Sequence, residues 1–126
     1  MQVSIETDQH QPDVIVFKLR GDLDYASAAL FRGAVTAGLT RAAFRTVIVD
    51  LADVSFLDST GVGMLVVARR ICGDLAISFA VRNASLFVAR IFAVLGVCET
   101  LGVDAPPGVI EPRRRPRADE RIALLA

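Results

Sequence analysis

Residues 46–63 read Thr46-Val47-Ile48-Val49-Asp50-Leu51-Ala52-Asp53-Val54-Ser55-Phe56-Leu57-Asp58-Ser59-Thr60-Gly61-Val62-Gly63. The run 46–51 is nearly continuous and apolar, the pattern of a strand covered on both faces. A short loop should follow, with Val54, Phe56 and Leu57 tucked inward. Asp58-Ser59-Thr60 then opens a helix over 58–72, with Val62, Leu65, Val66 and Ile71 as its buried stripe. Ser59 and Thr60 offer hydroxyls where the first-turn N–H groups of a helix lack partners. Gly61 and Gly63 cost this helix about 1 kcal/mol each relative to Ala. The return is space for something to approach the helix end closely. The simplest role for Asp58 or Ser59 is an N-cap.

Outward from this unit the two hydrophobic periods alternate. Residues 3–7 read as a strand, 9–13 as a polar turn, and 14–20 as a second strand ended by Gly21. Their short connection makes the pair antiparallel. Residues 25–39 are Ala-rich, with Leu30, Phe31, Ala34, Val35 and Leu39 near helical spacing. On the other side, Gly73-Asp74 reads as a turn and 75–81 as a strand. Asn83 or Ser85 caps a helix through Leu95, and Gly96 suits the position just past its end. Residues 97–103 read as a last short strand or extended segment. The order β-β-α-β-α-β-α predicts an α/β domain over residues 1–104, a mixed sheet packed against helices.

Residues 105–126 differ in kind. They hold four of the five prolines and carry a net charge of +2, against −2 for residues 1–104. A Pro- and Arg-rich stretch sustains neither a helix nor a central strand, so 105–117 reads as an extended, solvated linker. Residues 119–125 have the pattern of one or two helical turns with Ile122, Leu124 and Leu125 seeking an apolar surface. Arg113, Arg114, Arg115 and Arg117 have no Lys or aromatic residue among them. They read as a solvated charge run rather than a nucleic-acid contact.

Composition narrows the function further. With 126 residues, 53% of them hydrophobic and 22% charged, the chain is neither disordered nor collagen-like and suffices for one core. Fourteen basic groups balance 14 acidic ones, so no global field draws in nucleic acid or an anionic membrane. No apolar run approaches the roughly 18–20 residues that span a bilayer. The opening residues lack the basic and apolar regions of a signal peptide, so a cytoplasmic protein is the expectation. Cys72 and Cys98 have no His between them and fit no zinc pattern; they read as free thiols. No phosphate-cradling motif is present, and Lys18 is the sole lysine. A nucleophilic serine would need a base, but the chain offers only His10 and no G-x-S-x-G elbow. No metal, cofactor or enzymatic activity is expected.

The stretch from Asp50 to Gly63 resembles the STAS domain of bacterial anti-sigma factor antagonists. The family's hallmark is D-L-x-x-V-x-F-x-D-S-[ST]-G-x-G, matched here by Asp50-Leu51, Val54, Phe56, Asp58-Ser59-Thr60-Gly61 and Gly63. Gly21-Asp22-Leu23-Asp24 is similar to the family's turn after the second strand, and 88–97 to its third helix and closing glycine. The resemblance spans roughly residues 3–104, and 105–117 reads as an insertion before the family's last helix. It implies a binding protein rather than an enzyme. The unphosphorylated form would bind an anti-sigma factor that is also a GHKL-type Ser/Thr kinase and so free the sigma factor. Phosphorylation of Ser59 would end that binding until a phosphatase restores it. The implied partner surface is Asp22, Asp24, Asp58, Ser59, Thr60, Gly61, Val62 and Gly63, with Thr60 an adjacent candidate hydroxyl for the phosphate. A scaffold or stress-signalling subunit without a sigma-factor switch is the alternative. A transporter tail is disfavoured, since no membrane span precedes the domain. The oligomeric state is left open.

Overall fold

The structure is a computed structural model and describes residues 1–7, 11–41 and 43–104. The expected linker at 105–117, the terminal turns at 119–125 and part of the polar turn at 9–13 lie outside the described residues. The elements are β1 (Gln2–Thr7), β2 (Val14–Leu23), α1 (Tyr25–Leu39), β3 (Thr46–Leu57), α2 (Ser59–Asp74), β4 (Ser78–Arg82), α3 (Leu86–Val94) and α4 (Cys98–Leu101). The strands form one sheet in the order β1-β2-β3-β4. β1 runs antiparallel to β2, with Gln2 opposite Arg20. β2, β3 and β4 are parallel, with Val14, Thr46 and Ser78 in one row. The expected α/β class, mixed sheet and element order are therefore present.

The strand period of two sorts the side chains. Ile15, Phe17 and Leu19 of β2 and Val47, Val49 and Leu51 of β3 face one core. Phe31, Val62, Leu65, Val88 and Phe92 close it from the helices. The intervening positions put Lys18, Asp50 and Arg82 in one row on the opposite face. On that same face Val16, Ile48 and Ala80 form a neighbouring apolar row. Ile48 is half-buried and Asp50 buried on the far side, so the strand is covered on both faces as expected, more completely on the helix side.

Non-local pairing changes several other expectations. β3 does not stop at Leu51. Its pairing with β2 continues through Gly21 opposite Val54 and Leu23 opposite Leu57, with irregularities near Arg20 and Asp22. The expected loop is therefore strand. Val54 and Leu57 are buried, whereas Phe56 is 44% exposed instead of tucked inward. α2 continues through Gly73 and Asp74, and the turn falls at Leu75–Ala76, where Ala76 has φ 58°. Its buried stripe is Val62, Leu65, Ala68 and Cys72; Val66 is half-buried and Ile71 lies at the rim, 47% exposed.

Ser85, not Asn83, caps α3, its side chain accepting from the Val88 N–H. Asn83 instead takes φ 61° and donates from its amide to Asp50. Past α3, Gly96 adopts φ 70°, as its place after the helix requires. Residues 97–103 are not a strand. Cys98 and Leu101, three apart, both reach the core, and one helical turn satisfies that spacing. Neither cysteine is in a disulfide and both are buried, and burial pushes the Cys72 thiol pKa up.

Candidate functional site

The parallel pairing of β2 with β3 ends at Leu23 opposite Leu57. Each strand then hands over to a helix through a single aspartate, so the N-termini of α1 and α2 open side by side. Asp24 caps α1: its Oδ1 accepts from the Ser27 N–H at 3.0 Å, and the Asp24 N–H donates to Ser27 Oγ at 2.9 Å. This reciprocal box satisfies two first-turn groups at once. The backbone and side-chain bonds from Ser27 hold the Asp24 carboxyl below its usual 3.8.

Asp58 caps α2 and also reaches its neighbour. Its Oδ1 accepts from the Gly61 N–H at 2.9 Å, and its Oδ2 accepts from the Tyr25 N–H, the first of α1, at 3.3 Å. The Asp58 N–H donates to the Leu23 carbonyl at 3.3 Å. That carbonyl also explains Gly61, because a Cβ at this position would fall on the Leu23 carbonyl oxygen. Gly63 faces open space. The first glycine lets α2 seat against the end of β2; the second leaves the helix surface bare.

All eight residues singled out in the sequence gather here, at different depths. Asp22, Ser59 and Gly63 are exposed. Asp24, Asp58 and Thr60 are half-buried, and Gly61 and Val62 are buried beneath them. Ser59 is the first residue of α2. An exposed hydroxyl with no bonded base suits modification from outside better than attack by the chain itself. Among the described residues no cluster of His, Cys, Asp and Glu could hold a metal ion. Among them, too, no helix is long and apolar enough to cross a membrane.

A groove that the motifs did not announce runs beside Ser59. It has a volume of about 420 Å³, and Asp58 and Ser59 face Phe87, Arg90, Ile91, Val94 and Leu95 across it. Phe87 is 52% and Val94 64% exposed. The available signal was α3 itself: in 86–95 every residue except Arg90 is apolar, more than one buried face can use. A second depression, on the α1 side, is lined by Tyr25, Arg32, Thr60 and Met64 among others. Ser59 and Thr60 therefore open onto different grooves.

The sequence model of the STAS domain matches residues 5–107. Similar solved structures include an anti-sigma factor antagonist from Mycobacterium paratuberculosis, with a TM-score of 0.70 and 20% identity over 98% of this chain and 92% of that one. The phosphorylated form of the Bacillus cell fate determinant SpoIIAA has a TM-score of 0.60 and 22% identity over 99% and 100%. A sulfate transporter family protein from Wolinella succinogenes has a TM-score of 0.65 and 16% identity over 77% and 75%. At these identities the likeness is one of fold.

Proposed function

The chain belongs to the STAS domain family, and on that premise we propose that it is an anti-sigma factor antagonist switched at Ser59. The observation that carries this reading is an exposed serine at the first position of α2, framed by the Asp24 and Asp58 caps and flanked by exposed apolar side chains of α3. The unmodified surface of Asp22, Ser59, Thr60 and Gly63, set on Asp24, Asp58, Gly61 and Val62, binds an anti-sigma factor that is also a GHKL-type Ser/Thr kinase. That binding frees the sigma factor, which places the protein in the cytoplasm. The names of the similar antagonist structures support the role, and the fold shared with phosphorylated SpoIIAA supports the switch.

The chain itself performs no chemistry in this scheme. Ser59 Oγ forms a bond to the γ-phosphorus of ATP on the kinase as the bond to ADP breaks, and the hydroxyl proton leaves to a kinase base. The product adds a charge of about −1.5 to −2 beside Asp58. A partner surface shaped for a neutral hydroxyl then meets an uncompensated charge, which weakens binding by about 2–4 kcal/mol. A phosphatase reverses the step by hydrolysing the phosphoserine.

A scaffold or stress-signalling subunit is the second reading, favoured by the same fold occurring in a sulfate transporter family protein. Calorimetric titration of the candidate kinase separates the two. Ser59→Ala should bind like the parent and take no phosphate, while Ser59→Asp should bind about 2–4 kcal/mol more weakly. Equal affinities, with mass mapping still finding phosphate elsewhere on Ser59→Ala, would remove the switch from Ser59.

A further inference from the structure

We propose that Arg90 clamps the phosphate when Ser59 is phosphorylated, and that this clamp closes the apolar groove beside α2. The inference rests on the reading of Ser59 as the phosphate acceptor and names how the modified site is held.

Among the described residues, Arg90 is the only basic residue lining the groove that Ser59 borders. The one acid in that lining, Asp58, already has Oδ1 engaged by the Gly61 N–H and Oδ2 by the Tyr25 N–H. Arg90 is exposed, and among the described residues its guanidinium has no ion-pair partner. A phosphate on Ser59 supplies the missing anion on the facing wall. A guanidinium presents a planar fork of donors that matches phosphate oxygens in pairs, which a lysine ammonium cannot do.

The consequence follows from helix spacing. Phe87 and Val94 stand three residues before and four after Arg90, so all three share one face of α3. A guanidinium drawn to the Ser59 rim lies over the apolar floor between them. The phosphorylated chain thus loses both its neutral serine and its open groove. Thr60 gives an internal comparison, because it shares a depression with Arg32, not with Arg90.

The test installs phosphoserine at position 59 during translation, so no kinase is needed, and follows the phosphate by phosphorus NMR across pH. In the parent, the second phosphate ionisation should fall below its usual value near 6. Arg90→Ala should raise it by about half a pH unit, the size of an exposed ion pair, and speed removal of the phosphate by a non-specific phosphatase several-fold. Arg90→Lys should recover part of the shift, and Arg32→Ala should leave it unchanged. Asp58 and the α2 N-terminus act equally in every variant, so they cancel in the comparison. Arg90→Ala indistinguishable from the parent, or Arg32→Ala moving the titration more than Arg90→Ala, would overturn the clamp. Either result would leave the Ser59 switch itself to be judged by the kinase titration.

Discussion

Asp58 divides its carboxylate between two helices, and its replacement separates those duties. Asp58→Ala removes the acceptor for both the Gly61 and the Tyr25 N–H and should cost about 1–2 kcal/mol in denaturant unfolding. Asp58→Asn keeps one carbonyl oxygen and should lose less. The two glycines of the first turn make a sharper pair. Gly61→Ala drives a Cβ onto the Leu23 carbonyl and should destabilise the fold by about 1–3 kcal/mol. Gly63→Ala meets nothing and should raise stability by up to about 1 kcal/mol. If a partner approaches the bare surface closely, the same Gly63→Ala change should still weaken kinase binding. Thermal unfolding and calorimetry on the two variants read both effects.

At the scale of elements, β3 is tied to β4 and to the turn before α3 by one buried carboxylate. Asp50 is 7% exposed; it accepts from the Ala52 N–H at 3.0 Å, from Asn83 at 3.3 Å and from Arg82 at 3.4 Å. Burial acts to raise its pKa, but the bonds from Ala52, Asn83 and Arg82 together carry it below the usual 3.8. A carboxyl whose folded pKa is depressed contributes its stability fully above the unfolded value and loses it as pH falls through the folded one. Asp24 carries the same sign. Melting temperature should therefore hold near neutrality and fall as pH drops below 3.8. Asp50→Asn should cost about 1–3 kcal/mol at pH 7 and flatten part of that acid-side decline. A variant with an unchanged melting profile would mean the turn before α3 is held by other contacts.

For the whole molecule, the one shared core under the helices sets two expectations. Cys72 and Cys98 sit inside it, and the Cys72 thiol is held protonated by burial. Neither should react with a thiol reagent at pH 8 until denaturant is added; rapid labelling of the native protein would show that α2 or α4 opens easily. We also propose that residues 105–126 are dispensable for folding, because their prolines bar them from a central strand and residues 1–104 already supply four strands and four helices. A truncated chain ending at Asp104 should melt cooperatively and keep the Ser59 surface usable. A molten or insoluble truncation would assign Ile122, Leu124 and Leu125 to the core.

What the sequence determined by itself is whatever depends on neighbours a few positions away. The Tyr25–Leu39 helix lies where its period put it, and the Asp58 cap and the Gly96 turn follow from local hydrogen bonding and backbone freedom. The eight motif residues fall in two short runs, 22–24 and 58–63, each legible from its own neighbours, while the pairing of Leu23 with Leu57 brings the two runs together. The tertiary structure alone decided what depends on distant partners. β3 runs on to Leu57 because β2 is there to pair with it through two irregularities, and the same register turns Phe56 outward. Residues 98–101 wind into a turn because the core takes Cys98 and Leu101 together. Ser59 borders the same apolar groove as Arg90 only because the fold sets the start of α2 and the outer face of α3 on either side of it, a juxtaposition of residues 31 positions apart that no local period encodes.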